Sequence, residues 1–262
     1  MRILAAHAHP DDVEFQCAGT LALLRQKGHE IGIMTVANGD CGSKDLPAEE
    51  IARVRYEEAK RSAFILGGKY YCCGIGDLQV VFDNPTRRKV VEVFRQFVPE
   101  LVFGAPLSDY MLDHEMAGQL IRDAAFTASL PNYSTGQENP APHLPKVPHL
   151  YYMQPLGNSN VLGEPVLPEF CIDITTVMET KKEMLAQHAS QREWLRVQHK
   201  MDQYIINMQQ ESEAIGKLIG VPYAEGFRLH KASGHPRSNV LQELLPEYIH
   251  PLSKNLLNKM SV

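Results

Sequence analysis

Residues 1–15 read MRILAAHAHPDDVEF, a short apolar run followed directly by polar and ionisable side chains. The run 3–6 has the length and composition of a buried β-strand. Two histidines, a proline and the adjacent aspartates Asp11 and Asp12 come next. Two neighbouring carboxylates in a partly buried turn cannot both ionise unless a positive charge lies nearby. The order strand, acidic turn, helix therefore suggests both a fold and a cation.

The same alternation continues through the first half of the chain. Apolar runs predict strands, and each is followed by a segment with helical spacing; the runs are 3–6, 31–36, 69–73 and 100–106. Strands that alternate with helices favour a parallel sheet covered on both faces. The sequence predicts the α/β class, a Rossmann-like three-layer sandwich with a mostly parallel sheet.

The second half is less regular. Residues 129–170 are rich in Pro, Asn and Gly, with one further predicted strand at 149–155. We interpret 129–170 as an irregular insert that shapes the substrate site, and 175–262 as a helical C-terminal portion. Because no linker or repeat divides the chain, residues 1–262 are expected to form one domain.

Composition excludes several classes of function. The chain has 262 residues and a net charge of −5 without any block of like charge, which argues against a nucleic-acid partner. No apolar run approaches the roughly 20 residues of a membrane span. Five cysteines without CxxC spacing argue against a disulfide framework or a thiolate zinc site. With no signal-peptide pattern, a cytoplasmic location is expected.

His9, Asp12 and His114 are the candidate metal ligands. They follow two predicted strands, and ligands of parallel sheets gather beyond the carboxyl ends of the strands. Two imidazoles and one carboxylate leave a position open for water, as a hydrolytic metal requires, and Asp11 could accept the proton of that water. Spacing alone leaves another explanation open: a proline turn in which an aspartate caps the following helix, with His114 as an ordinary helix residue.

Six segments, in the same order, resemble the PIG-L/LmbE-type deacetylases, the N-acetylglucosaminyl deacetylase superfamily. They are AHAHPDDVEFQCAGTLA (6–22), TVANGDCGS (35–43), RVRYEEAKRSAFILG (53–67), GIGDLQV (74–80), LPEFCIDITTVMETKKEMLAQHASQ (167–191) and YAEGFRL (223–229). The resemblance implies a Rossmann-like fold and a zinc-dependent hydrolase that removes an N-acyl group, usually acetyl, from an amino sugar. It implies His9, Asp12 and His114 as ligands and Asp11 as general base. Ferrous iron fits the same ligands.

Four further residues have expected roles around the substrate, and for Arg55 and His188 the resemblance supports them. Arg55 would reach the substrate, although a surface pair with Glu58 is the alternative. Asp40 either lines the substrate cleft or forms a turn. His188 is either a substrate-site residue or a buried structural histidine. Asp113 is expected to orient a neighbouring side chain or to cap a helix.

One position departs from the family pattern. The family often has a histidine three residues before the last ligand, and this chain has Met111 there. Methionine cannot donate a proton or a strong hydrogen bond. Either the metal and Asp11 suffice, or another residue substitutes; the candidates are Tyr110, Asp109, His7 and His188.

The substrate class stays open at this point. The expected partner is a small N-acylated amino sugar or conjugate. The alternatives are an amidase acting on a thiol conjugate or an antibiotic-like glycoside, and a non-catalytic sugar-binding member. A homo-oligomer is compatible with the resemblance, but no stripe on the chain specifies one.

Overall fold

A computed structural model describes residues 1–191 and 203–252 of the chain. In these residues one sheet is formed by β1 (Arg2–His7), β2 (Glu30–Ala37), β3 (Lys69–Ile75), β4 (Leu101–Gly104), β5 (His149–Met153), β6 (Phe170–Asp173), β7 (Ala224–Leu229) and β8 (Ile249–Pro251). Their order is β3-β2-β1-β4-β5-β7-β6-β8. Strands β1 to β5 pair in parallel, whereas β7 is antiparallel to β5 and β6, and β8 to β6.

Helices cover both faces of the sheet. They are α1 (Asp12–Gln26), α2 (Ala48–Ile65), α3 (Asn84–Phe97), α4 (Leu112–Thr127), α5 (Met178–Ala186), α6 (Gln203–Lys217) and the short α7 (Leu241–Leu244). None of these helices has the length and apolar character needed to cross a membrane. The three layers confirm the predicted fold class.

Strand β1 shows why the central strands lack a polar–apolar alternation. Ile3 and Ala5 belong to a core on one face of the sheet, together with side chains of α1, α5 and α6. Leu4 and Ala6 belong to the core on the other face, with side chains of α3 and α4. A strand buried on both faces must be apolar throughout.

The strand order also locates a crevice. From β1 the chain proceeds to β2 and β3 on one side, then returns to place β4 and β5 on the other. In open parallel sheets of this kind, ligands bind beyond the carboxyl ends of the strands where the order reverses. That point lies between the loop after β1 and the loop after β4.

The C-terminal portion differs from the sequence prediction. It contains α5 and α6 but also β7 and β8, so the expectation of a helical segment over 175–262 is incomplete. The sequence did not predict strand β7, because Glu225 and Gly226 interrupt its apolar pattern. Residues 192–202 and 253–262 of the predicted helical portion lie outside the described residues.

Glu225 is a buried carboxylate with partners on two helices. Its Oε1 lies 2.6 Å from Nζ of Lys181 on α5, and both side chains are almost completely buried. Its two carboxylate oxygens accept the backbone N–H groups of Gly19 and Thr20 on α1, at 2.9 and 2.7 Å. One carboxylate therefore joins α1, α5 and β7.

Replacing Lys181 by methionine is expected to lower the free energy of unfolding by roughly 3–5 kcal/mol, because Glu225 would keep a buried charge without its cation. Urea denaturation measures the difference. The neighbouring Lys182 pairs with Glu179 at the surface, so Lys182→Met is the matched control and should change stability by about 1 kcal/mol or less. Equal effects of the two substitutions would contradict the role assigned to Lys181.

Candidate metal centre

A cavity of about 460 Å³ lies at the crevice between β1 and β4. The loop after β1 contributes His9 and Asp11, and the first residue of α1 contributes Asp12. His114, in the first turn of α4, faces the same cavity. The four residues meet because their strands are neighbours in the parallel sheet.

His9, Asp12 and His114 place three potential ligand atoms at nearly equal separations. Nδ1 of His9 lies 3.4 Å from Oδ2 of Asp12 and 3.3 Å from Nε2 of His114. The third side, from Nε2 of His114 to Oδ2 of Asp12, is 3.4 Å. Ligand atoms about 2.0–2.1 Å from one tetrahedral zinc ion are separated by about 3.3–3.4 Å. The residues present therefore fit a tetrahedral ion with one open position.

His7 offers another arrangement, since a nitrogen of His7, an oxygen of Asp12 and a nitrogen of His114 also lie close enough together to hold an ion. However, Nδ1 of His7 is only 2.7 Å from Oδ2 of Asp12. That separation is typical of a charge-assisted hydrogen bond and shorter than the distance between two ligands of one zinc ion. His7 is completely buried and is not part of the cavity wall. We therefore interpret His7 as a support for Asp12.

Both candidate ligand histidines turn their second ring nitrogen towards a carboxylate. Nε2 of His9 lies 3.1 Å from Asp113, and Nδ1 of His114 lies 3.0 Å from Asp109. Asp113 also accepts the backbone N–H of Leu78 at 2.7 Å. Carboxylates in such positions fix the tautomer and orientation of metal-binding imidazoles. Asp113 thus lies where the sequence analysis expects an orienting residue, whereas the position of Asp109 was not anticipated.

The surrounding imidazoles favour an ionised Asp12. Burial alone would raise the pKa of Asp12, but His114, His7 and His9 outweigh it and hold that pKa well below its usual range. Burial lowers the pKa of His9, but the hydrogen bonds with Asp113 and Asp12 prevail and raise it to about 10. This electrostatic balance, with positive charge around one carboxylate, is what a bound cation would also provide.

The side chain of Asp11 lines the cavity, and its backbone adopts an unfavourable conformation there. Its φ of 110° lies in the left-handed region, and its side chain makes no capping hydrogen bond to α1. Oδ2 instead accepts the hydroxyl of Tyr204 at 2.5 Å and lies 3.3 Å from the Arg55 guanidinium. Strained backbone of this kind is concentrated at functional sites. The helix-capping alternative is therefore wrong for Asp11.

The pKa of Asp11 moves in the direction that a general base requires. Burial raises it, and the neighbouring Asp12 adds to the effect, whereas Arg55, His188 and Tyr204 act against it. The net shift is upward. A carboxylate with a raised pKa accepts a proton from water more readily at neutral pH.

Comparison with known proteins gives a family match over the part of the chain that contains these side chains. Residues 4–125, which contain all four of these side chains, match the PIG-L family, described as GlcNAc-PI de-N-acetylase. The family match thus applies to residues 4–125.

Similar proteins include enzymes of two kinds. A diacetylchitobiose deacetylase of Thermococcus kodakarensis is 29% identical over 238 residues, which cover 87% of this chain and 82% of the relative. A 4-oxalmesaconate hydratase of Pseudomonas putida is 26% identical over 186 residues, 68% of this chain and 69% of the relative. The structure of the N,N'-diacetylchitobiose deacetylase from Pyrococcus horikoshii has a TM-score of 0.71 at 24% identity, covering 87% and 83% of the two chains.

Arg55 lines the cavity, but its guanidinium is already engaged. It donates to the carbonyl oxygen of Pro10 at 2.6 Å and lies beside Asp11. Gly39, at a φ of 80°, lets the loop after β2 pass over this side chain, since a Cβ there would come within 2.6 Å of Arg55 Cδ. The alternative surface pair with Glu58 is wrong, because Glu58 is buried and accepts hydrogen bonds from Ser190.

Asp40 and His188 do not line the cavity. Asp40 accepts the backbone N–H of Asp77 at 2.8 Å and thereby joins two loops, which corresponds to the turn alternative. His188 is completely buried, with Nε2 3.2 Å from Glu14. The structure thus places Asp40 in a contact between two loops and His188 in a buried pair with Glu14. The roles in substrate binding expected of both residues stay predictions.

Several cavity residues were not found from the sequence. Asp77 accepts the backbone N–H groups of Gly39 and Cys41, at 2.8 and 3.1 Å, and so fixes the loop after β2. Its place in the GIGDLQ segment could have indicated it. Tyr204 and Glu211, by contrast, lie on α6, outside every segment that resembles the family. No local signal separates them from ordinary helix residues.

The Glu14–His188 pair predicts a pH window for stability. Burial lowers the pKa of His188, but Glu14 outweighs burial and raises it; burial raises the pKa of Glu14, but His188 and Ser62 outweigh it and lower it. The contribution of His188 is therefore complete below its ordinary pKa of 6.5 and disappears as pH rises through its folded-state pKa. That of Glu14 is complete above its ordinary pKa of 4.5 and disappears as pH falls through its folded-state pKa.

His188→Gln is accordingly expected to destabilise the protein most between pH 4.5 and 6.5, by roughly 3–5 kcal/mol. The loss should shrink on either side of this range. Chemical denaturation across a pH series measures it, with the exposed His143→Gln as control. A loss that does not change with pH would show that packing, rather than charge, accounts for the effect.

Proposed function

We propose that the protein is a metal-dependent hydrolase that removes an N-acyl group, most simply acetyl, from an amino sugar or a related small molecule. The observation that carries the proposal is the triangle formed by His9, Asp12 and His114, with Asp11 beside it. The deacetylase relatives support the same reaction. Residues 1–262 would act as one domain.

In this proposal His9, Asp12 and His114 hold the ion, zinc by preference and ferrous iron as the alternative. Such an ion polarises the acyl carbonyl and lowers the pKa of a water molecule. Asp11 accepts the proton of the attacking water. Arg55 and Tyr204 hold Asp11 in its strained position, so that its carboxylate faces the substrate instead of capping α1.

The charge of the cavity favours a deacetylase over a hydratase of the kind found among the relatives. An oxalmesaconate substrate carries several carboxylates and needs cationic partners. Among the described residues that line the cavity, Arg55 is the only arginine or lysine, and Asp11 and Pro10 already occupy it. Asp77 and Glu211 add carboxylates to the same wall. A neutral amide is the substrate that this wall accepts at least electrostatic cost.

The remaining properties follow the chemistry of the site. The expected substrate is N-acetylglucosamine or a small conjugate of it, and a thiol conjugate or an antibiotic-like glycoside would expose the same amide. All five cysteines are free thiols, which supports a cytoplasmic location. We expect no nucleic-acid partner, and a homo-oligomer is compatible with the proposal.

The first test is metal content by elemental analysis, together with acetate release from N-acetylglucosamine and N,N'-diacetylchitobiose. Wild type should carry about one zinc or iron ion per chain, and Asp12→Ala/His114→Ala should carry none and release no acetate. A metal-loaded wild type that releases no acetate from any N-acetyl amine would favour the non-catalytic binding alternative. A wild type that takes up no metal even when zinc is supplied would refute the proposed centre.

His9 and His7 provide a sharper test of the ligand set. Because Nδ1 of His9 belongs to the triangle, His9→Ala should lose the ion. His7→Gln should retain it, since the amide can still donate a hydrogen bond to Asp12. The metal content of the two purified variants shows which histidine is the ligand. If His9→Ala retained the ion and His7→Gln lost it, His7 would be the ligand.

Asp11→Asn should separate the general base from the ligands. The amide cannot accept the proton of water, so kcat for acetate release should fall by roughly 10²–10⁴. Metal content should stay at the wild-type level, because the carboxylate of Asp12 is unchanged. An Asp11→Asn protein with full activity would contradict the assigned role, and one without metal would move Asp11 into the ligand set.

A further inference from the structure

The family pattern leads one to expect a proton-donating histidine on the side of the cavity next to His114. Met111 lines the cavity at that position, and its thioether cannot deliver a proton. Expulsion of an amine from a tetrahedral intermediate requires protonation of its nitrogen, because an amide anion is a very poor leaving group. Another acid on this wall would supply what Met111 cannot.

The four substitutes considered from the sequence do not fill this role. His7 and His188 are completely buried and are absent from the cavity wall. Asp109 has both oxygens occupied, one by His114 at 3.0 Å and the other by the backbone N–H of Leu156 at 3.0 Å. Tyr110 does line the cavity, but burial and the nearby carboxylates raise its pKa to about 12. A phenol of that acidity is a poor proton donor at neutral pH.

Helix α6 supplies a different acid. Tyr204, Asn207 and Glu211 all line the cavity. Their spacing of three and four residues places them on one face of the helix. The hydroxyl of Tyr204 already donates its proton to Asp11 in a hydrogen bond, and Asn207 has no acidic proton. Glu211 is thus the acid that α6 presents to the cavity.

A short chain of contacts places Glu211 on the His114 side. Asp109, the partner of His114, accepts the backbone N–H of Leu156. The next amide along the chain, that of Gly157, donates to the Glu211 carboxylate. Gly157 adopts a φ of 72°, which glycine reaches without strain. Two successive amides of one turn therefore connect Glu211 to the carboxylate that holds His114.

We propose, on the basis of the deacetylase function above, that Glu211 protonates the leaving amine in place of the histidine that is absent at Met111. Asp11 takes one proton from the attacking water, and the resulting hydroxide forms the new C–O bond. Glu211 then donates its proton to the substrate nitrogen as the C–N bond breaks. The products are a carboxylic acid and an amine; Glu211 regains a proton from solvent and Asp11 releases one.

The surroundings of Glu211 keep the proton available. Burial raises its pKa to about 7, Asp109 adds to the rise, and the Gly157 amide and Lys181 oppose it. Lys181 is itself paired with Glu225, at 2.6 Å. The charge of Glu211 in turn adds to the rise in the pKa of Tyr110, after burial and the charges of Asp12, Asp109 and Asp11. A carboxyl group with this pKa can both give up and regain a proton near neutral pH.

Glu211→Gln tests the proposal, because glutamine preserves the size of the side chain and its acceptor for Gly157 but cannot deliver the proton. The assay uses the better of N-acetylglucosamine and N,N'-diacetylchitobiose as the amide, and 4-nitrophenyl acetate as an ester whose leaving group departs without protonation. We expect kcat for the amide to fall by roughly 10²–10⁴, with metal content and ester hydrolysis near wild type. Glu213→Gln, on the same helix and outside the cavity wall, is the control and should leave both reactions unchanged.

The pH profile separates an acid from a merely structural residue. In wild type, kcat for the amide should decline as pH rises through the Glu211 pKa of about 7, and this decline should be missing in Glu211→Gln and in ester hydrolysis. Equal losses on amide and ester would overturn the proposal, as would an unchanged pH profile in the variant. A metal-loaded wild type that hydrolyses neither the ester nor any N-acetyl amine would instead refute the deacetylase function itself.

Discussion

The carboxylate of Asp12 is the point on which the site depends. A single oxygen, Oδ2, accepts the backbone N–H of His9 at 2.7 Å and lies 2.7 Å from Nδ1 of His7. The same oxygen forms one corner of the triangle with the His9 and His114 rings. A buried carboxylate is costly unless several donors or cations surround it. The loop after β1, the start of α1 and the first turn of α4 are therefore held in one arrangement around this oxygen.

A second constraint follows from the first. Because Asp12 begins α1 and turns towards the two rings, Asp11 is left at the end of the preceding loop with a φ of 110°. Tyr204 and Arg55 hold it there through its carboxylate. Two carboxylates adjacent in sequence thus have opposite pKa shifts, lowered for Asp12 and raised for Asp11. That division suits the proposed reaction, in which Asp12 would act as a ligand and Asp11 as a base.

Local sequence patterns predicted much of the fold and the position of the candidate site. The alternation of strands and helices predicted the parallel sheet, and the two short loops at 7–12 and 105–114 indicated where its chemistry lies. The same reasoning failed for β7, whose Glu225 is an internal partner of Lys181 rather than a surface residue. It also predicts substrate contacts for Asp40 and His188, and the structure adds that they contact Asp77 and Glu14. Side-chain type alone does not show which side of a loop or a helix a residue faces.

The sequence by itself determined the fold class and the candidate ligands, because both depend on local periodicity and on short motifs at strand ends. The other residues that line the cavity depend on the tertiary structure. Tyr204 reaches Asp11 across 193 residues of chain, and Glu211 enters the same cavity from the same helix. Their positions depend on how α6 packs against the sheet, and hydrophobic burial fixes that packing without leaving a motif in the polar residues it brings to the cavity.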